Sequence, residues 1–285
     1  MEILSKKILV TGGTGFLGEY LVKRLVQQNY SVNVLGRTRS TLEQLQSKYP
    51  SIHIFVGDLT DKTLLVESTK NVTGIFHLAA FKHVRQAEEI PLECIESNIV
   101  GTMHLLEISS EVPTLKFILG ISTDKACQVN GVYGASKFLM EKVFLAYEKK
   151  FPQIQYRLVR LGNILYSTGS VLCKWKDLLS KGEAIIITDE NITRFYWTPE
   201  KAIDLLFECL ENAPNAKPYI PPVKAMKLKD ILDVMIAKYH PKDKEPQIQR
   251  IGIQNGENFH EKLEEHGKYS NEVPLYTKEE IWNMI

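Results

Sequence analysis

Short apolar runs alternate with stretches of helical periodicity along the first half of the chain. Residues 7–10, 31–35, 52–56, 74–78, 114–119 and 155–161 each have the apolar density and length of a buried strand. Between the first two runs, Tyr20, Leu21, Leu25 and Val26 recur at helical spacing. Pro91 opens a pattern that predicts one helix through Asn98 and Gly101 to about Ser110, and another runs from Tyr133 to about Lys149. This alternation predicts an α/β protein built on a doubly wound parallel sheet of order 3-2-1-4-5-6, its crossovers right-handed.

The rhythm changes after Leu161. Gly162-Asn163-Ile164-Leu165 leads to a basic segment, residues 174–181, and then to Ile185-Ile186-Ile187-Thr188-Asp189. Helices are predicted over residues 200–211 and 227–239, separated by Pro-rich residues 217–223, and residues 242–246 form a charged loop. The reading is a nucleotide-binding domain over residues 1–165 and a smaller substrate region over 166–285, interleaved with it.

Composition narrows the partners. A formal net charge of +1 over 285 residues, with both signs interspersed, gives no global footprint for nucleic acid or membrane and leaves acidic small molecules as candidates. Cys94, Cys127, Cys173 and Cys209 are dispersed, with neither zinc spacing nor a disulfide framework, so no metal and a reducing compartment are expected. The polar N-terminal lead is too short for a signal peptide, and no segment is apolar over eighteen uncharged residues. The expected location is the cytoplasm.

Two stretches carry cofactor chemistry. Thr11-Gly12-Gly13-Thr14-Gly15-Phe16-Leu17-Gly18 lies between the first strand and the first helix. Its Gly12, Gly15 and Gly18 follow a variant of the Rossmann dinucleotide fingerprint, in which absent side chains let pyrophosphate approach the backbone; Thr14, Phe16 and Leu17 share the turn. The second strand ends in Gly36-Arg37-Thr38-Arg39-Ser40, without the acid that binds a free ribose diol. Arg37, Thr38 and Arg39 suit a ribose 2′-phosphate instead, so NADP is the expected cofactor. His77, flanked by apolar residues, reads as a satisfied core histidine.

The reactive chemistry concentrates in residues 122–137, STDKACQVNGVYGASK. Tyr133 and Lys137, four apart, share one helix face. A phenol has an ordinary pKa of about 10, and a neighbouring ammonium favours its phenolate. Such a Tyr takes a proton from a sugar hydroxyl while a nicotinamide takes hydride.

The pattern resembles the extended short-chain dehydrogenase/reductases. STDKA followed by YGASK is similar, more narrowly, to the inverting UDP-N-acetylglucosamine 4,6-dehydratases, whose turn carries Asp-Lys where retaining sugar-nucleotide dehydratases carry Asp-Glu. The resemblance implies a general base in Lys125, partly neutral through desolvation, an acid in Asp124, and Thr123, with Ser122 beside it, bonding the sugar 4-oxygen. It implies Asp58 and Leu59 at the adenine, though Asp58 or Thr60 also suits a helix cap, and Ala79 and Ala80 beneath the cofactor. It further implies Lys82, Asn98, Asn163 and Arg194 around a UDP-sugar, Asn98 lying on the active-site helix, although Lys82 also reads as a solvated surface lysine. Residues 251–261 resemble a Gly-Ile-Arg-Pro-Gly-Glu-Lys-Leu-His-Glu element but carry Gln254 for its arginine and Asn255 for its proline, which weakens a diphosphate clamp.

The activity so implied is an NADP-dependent sugar-nucleotide 4,6-dehydratase in a homo-oligomer. The rivals are a 4-epimerase or ketoreductase, which needs Tyr133 and Lys137 but no Asp-Lys pair, and a dinucleotide-binding scaffold or redox sensor.

Overall fold

The computed structural model describes residues 6–254 and 256–285. The first half runs β1 (Lys7–Thr11), α1 (Phe16–Gln27), β2 (Ser31–Gly36), α2 (Arg39–Lys48), β3 (His53–Val56), α3 (Lys62–Thr69) and β4 (Gly74–His77). It continues through α4 (Val84–Glu89), α5 (Pro91–Ile95), a π-helical turn (Glu96–Val100), α6 (Gly101–Ser110), β5 (Phe117–Thr123), α7 (Val132–Lys150) and β6 (Gln155–Leu161). Every strand pair in the main sheet is parallel. The expected order 3-2-1-4-5-6 is present, and a seventh strand extends it beyond β6.

Two elements differ from the pattern-based reading. The fifth strand was expected over residues 114–119 but runs Phe117–Thr123, because β5 keeps pairing with β6 from Phe117↔Gln155 to Thr123↔Leu161. Small polar Ser122 and Thr123 look like turn residues, yet the ladder claims their backbone groups. The single helix expected from Pro91 is interrupted at the π-helical turn, which carries Asn98. Such turns recur at functional sites.

The second half contains β7 (Asn163–Ile164), α8 (Val171–Lys181), β8 (Ile185–Ile187), β9 (Thr193–Trp197), α9 (Pro199–Asn212) and β10 (Pro218–Tyr219). It ends with β11 (Ala225–Lys227), α10 (Leu228–Tyr239), β12 (Ile248–Arg250) and α11 (Lys278–Met284). The basic segment 174–181 lies in α8, which turns Leu172, Trp175 and Leu179 inward. Burying each such large side chain contributes about 1.5–3 kcal/mol.

Burial divides this half between two cores. Phe195, Trp197, Ala202, Leu206 and Cys209 join the sheet core of β1, α1 and β2, and β10 is the strand added beside β6. Leu165, Trp175, Ile185, Tyr196, Met226 and Met235 form a separate cluster. Among the described residues no helix is long and apolar enough to cross a membrane.

Candidate active site

The candidate cofactor and reactive residues gather at the C-terminal ends of the parallel strands, where the chain leaves β1 to β5, and the C-terminal segment reaches them through Glu261. At β1, Gly12 has φ +70°, and a Cβ there would stand 2.6 Å from the Ala79 nitrogen, so the turn packs directly against the end of β4. Gly15 is the N-cap of α1 with no side-chain cap bond, and a Cβ on Gly18 would collide with the Gly12 carbonyl. The first turn of α1 has no side-chain cap on its N–H groups, and the missing Cβ atoms let a dinucleotide pyrophosphate approach them, so these residues fit such a group. Thr14, Phe16 and Leu17 are half-buried around it.

Arg37, Thr38 and Arg39 stand exposed at the end of β2. Arg39 makes only a 3.7 Å surface contact with Glu43, and Arg37 has no ion pair among the described residues, so both cations are free to meet a phosphate. Asp58 Oδ1 accepts from the Thr60 nitrogen and hydroxyl, both at 3.0 Å, and the cap of α3 is Asp61, which accepts from the Leu64 nitrogen. Neither Asp58 nor Thr60 caps that helix. Leu59 is buried against Gly101, leaving its backbone for any ligand; Ala79 and Ala80 are half-buried at the mouth of β4.

His77 is a core residue, as its apolar flanks predict. Its ring nitrogens meet Thr11 Oγ1 at 2.8 Å and Thr102 Oγ1 at 2.9 Å, and burial pulls its pKa down to about 3.

The turn after β5 holds the reactive cluster. Gly134 lets it settle on α7, since a Cβ there would lie 2.5 Å from the Lys125 carbonyl. Thr123 Oγ1 donates to Asp124 Oδ1 at 2.8 Å, and Lys125 Nζ donates to the same oxygen at 3.1 Å. Lys125 Nζ also lies 3.5 Å from Glu261 Oε1. Asp124 and Glu261 are fully buried, and Asp124 Oδ2 and Glu261 Oε1 have no hydrogen-bond partner. Buried carboxylate oxygens are seldom left so.

Three electrostatic expectations are corrected here. Burial alone would lower the pKa of Lys125, but the Asp124 and Glu261 carboxylates outweigh it and raise the pKa, so the resting side chain is an ammonium rather than partly neutral. Burial pushes Tyr133 up to about 12, opposed by Lys125 and by a hydrogen bond with Thr123. Lys137 is pulled down to about 8 by burial, and its ammonium donates to the Ile121 carbonyl at 2.8 Å. The charge that acts most to hold the Tyr133 phenol down is that of Lys125. Ser122, expected beside the sugar, is buried and donates to Glu141 Oε1 at 2.5 Å; Arg160 grips that carboxylate through 2.8 and 2.7 Å bonds.

The proposed sugar contacts separate. Lys82 is exposed, its Nζ 3.3 Å from the Thr168 carbonyl. Asn98 is 1% exposed: it accepts from the Phe81 nitrogen at 2.7 Å and donates to the Phe81 carbonyl at 3.0 Å and Ser136 Oγ at 2.9 Å. It pins the β4 loop to α7 and is too deep to touch a substrate. Asn163 is half-buried and stands in register with Tyr196 where β7 pairs with β9. Arg194 is spent inside the protein, donating to the carbonyls of Thr193, Phe259 and Asn258, so its first task is to hold the 258–261 segment against β9.

Gln254 bonds back to the Gly252 carbonyl at 3.0 Å, beside an open cleft of about 520 Å³ lined in part by Glu88, Asn130, Gly131 and Gly256. Asn255 lies outside the described residues. Sequence reasoning gave Glu261 no role, although it ends the element read as substrate-binding; its burial 3.5 Å from Lys125 is a tertiary fact.

The family model for polysaccharide biosynthesis proteins matches residues 8–279. The chain belongs to that family. It is an enzyme of the extended short-chain dehydrogenase/reductase class, to which this fold and this family correspond. An inverting UDP-N-acetylglucosamine 4,6-dehydratase of Campylobacter jejuni is 34% identical over 90% of this chain and 76% of its own. A Methanocaldococcus jannaschii protein described as an uncharacterized membrane protein is also 34% identical, over 98% of this chain and 85% of its own. The solved structure of Pen from Bacillus thuringiensis superposes with a TM-score of 0.92 at 25% identity, covering 99% of this chain and 97% of that one.

Proposed function

We propose that this family member is an NADP-dependent UDP-N-acetylglucosamine 4,6-dehydratase that inverts carbon 5. The observation that carries the reading is the 3.1 Å Asp124–Lys125 pair within the Thr123–Tyr133 site, because elimination needs an acid and a base that an epimerase does not. The dinucleotide would be held by Gly12, Gly15 and Gly18, with Arg37, Thr38 and Arg39 at the 2′-phosphate and Ala79, Ala80, Asp58 and Lys137 along its length. When bound, it supplies reversible hydride acceptance and a positive ring that favours the Tyr133 phenolate.

Tyr133 takes the proton of the sugar 4-hydroxyl, and Thr123, turning its hydroxyl from Asp124, donates to the 4-oxygen. The 4-ketone acidifies the hydrogen on carbon 5. Within the closed site, transfer of one proton along the Lys125–Asp124 hydrogen bond turns the ion pair into an amine and a carboxylic acid, the neutral forms that low polarity favours. The Lys125 amine removes the carbon 5 proton. The carbon–oxygen bond at carbon 6 breaks, Asp124 protonates the leaving hydroxide to water, and the double bond between carbons 5 and 6 forms. A proton then reaches carbon 5 from the opposite face, and the hydride taken from carbon 4, which the bound dinucleotide would hold, would return to carbon 6 and balance the step. Each general acid–base step contributes about 10²–10⁴-fold.

The test is incubation with UDP-N-acetylglucosamine in deuterated water without added cofactor. The expected product has lost one water, carries one solvent deuterium at carbon 5, and shows L-arabino coupling constants by NMR. A D-xylo product removes the inversion, and an isomer of unchanged mass makes the enzyme an epimerase. Dinucleotide released on denaturation should be NADP rather than NAD.

A further inference from the structure

Glu261 reaches the reactive turn from the far end of the chain. Its backbone is locked from both sides: its nitrogen donates to Ser270 Oγ at 3.0 Å, and its carbonyl accepts from the Ser270 nitrogen at 2.8 Å. Ser270 Oγ in turn bonds the Thr193 carbonyl on β9 at 3.0 Å. The side chain is held as firmly, for Oε2 accepts from Asn258 Nδ2 at 3.1 Å. Oε1 is what remains. It is buried, has no hydrogen-bond partner, and lies 3.5 Å from Lys125 Nζ and 3.9 Å from Arg194 Nε.

This is costly scaffolding for a carboxylate that no surface function uses. Burying an unpaired charge is unfavourable, and a fixed one is tolerated where it faces a charge of opposite sign. Arg194 turns its NH1 and NH2 groups to three carbonyls and leaves only Nε toward Oε1, at 3.9 Å, so Lys125 at 3.5 Å is the nearer cation and the larger charge acting on Glu261.

We propose that Glu261 is a positioning residue for Lys125: jointly with Asp124 it holds the lysine as an ammonium at the reactive turn and sets how readily the neutral amine forms. The charged and titratable groups facing Lys125 are Asp124 on its own turn, Tyr133 on α7, Arg194 and Tyr196 on β9, and Glu261. Asp124 and Glu261 favour the ammonium, and Arg194 opposes it; burial raises the Glu261 pKa, while Lys125 and Arg194 pull it back toward the carboxylate. Glu261 is held by residues 258, 270 and 193, so the order of the C-terminal loop fixes the proton balance of a turn more than 130 residues earlier in the sequence. The inference rests on Lys125 acting as the base, but its test does not.

The experiment is competitive labelling with trace acetic anhydride, which acylates only neutral amines, read at the Lys125 peptide by mass spectrometry between pH 7 and 11. In the wild type the labelling midpoint of Lys125 should lie above that of exposed Lys242 in the same digest. Glu261→Gln should speed labelling of Lys125 at pH 8 about tenfold, the change that follows from one pKa unit, while Glu261→Asp, which keeps the charge, should stay close to wild type. The alkaline-rising limb of carbon 5 exchange should move to lower pH in Glu261→Gln, whereas a merely structural role would lower its height without moving it. Equal labelling in wild type and Glu261→Gln, or a wild-type midpoint at or below that of Lys242, overturns the proposal. Should Glu261→Gln not fold, Asn258→Ala, which frees Glu261 Oε2, takes its place: faster labelling of Lys125 than in wild type supports the role of Glu261, and equal labelling overturns it. If labelling behaves as expected but no water is lost from the sugar, the functional reading fails and the role of Glu261 stands.

Discussion

Two buried polar clusters sit within the same sheet-end region and are built on opposite principles. In the Thr11–His77–Thr102 cluster each imidazole nitrogen has a hydroxyl at 2.8 or 2.9 Å, and Thr102 passes its own bond to the Asn98 carbonyl. In the Asp124–Lys125–Glu261 cluster two carboxylates face one ammonium, and one oxygen of each carboxylate is left over. Full satisfaction makes a rigid joint between β1, β4 and α6. Incomplete satisfaction leaves groups whose proton can move. The first cluster holds the central strands β1 and β4 together at their C-terminal ends, and the second keeps unpaired oxygens that the proposed substrate would complete.

The comparison breaks most visibly at Asp124. Asp124→Asn keeps the shape of the turn and the Thr123 bond but removes the acid, so turnover should fall about 10²–10⁴-fold, measured as 4-keto product formed per enzyme. Lys125 retains Glu261, so the denaturant midpoint should shift little. A variant that dehydrates at wild-type rate takes Asp124 out of the chemistry.

Lys137 is the next test, because it is buried for function rather than stability. Its folded pKa of about 8 lies below that of a free lysine, so the unfolded chain binds more protons between about pH 8 and 10.5. Wild-type stability should therefore rise with pH across that window. Lys137→Met should flatten the rise and gain roughly 1–3 kcal/mol at pH 7 while abolishing turnover. Urea titrations at pH 7 and 9.5 measure both; a destabilised Met variant would mean that the bond to Ile121 outweighs desolvation.

The satisfied cluster gives the smaller effect. His77→Phe strands two buried threonine hydroxyls and should cost about 1–3 kcal/mol at pH 7, with turnover near wild type. Its pH signature has the same sign as that of Lys137, in a lower window. With the folded pKa near 3, His77 contributes stability that is present above about pH 6.5 and is lost as pH falls toward 3, by up to about 1.4 kcal/mol per pH unit. The variant should lack that part of the acid loss, so its deficit against wild type should narrow between pH 7 and pH 4.

Several of these residues were legible without coordinates, for a physical reason. The Gly12–Gly15–Gly18 spacing works by absent side chains, and the Tyr133–Lys137 spacing by helical pitch; both are local, and local geometry is written in consecutive residues. Likewise His77 reads as core because its neighbours are Phe76 and Leu78. Asn98, on the active-site helix the resemblance implies, and Ser122 lie deeper than residue type can report: each sits near the chemistry, but their partners Phe81, Ser136 and Glu141 come from other elements.

The sequence by itself determined the parallel sheet, its order, the dinucleotide turn and the Asp124-Lys125 and Tyr133-Lys137 pairs, because each follows from periodicity or from residues a few positions apart. Only the tertiary structure decided the charge state of those groups. The pKa of a buried side chain depends on desolvation and on charges a few ångströms away, and here the deciding charge on Lys125 comes partly from Glu261, brought from 136 positions down the chain by Ser270, Asn258 and β9.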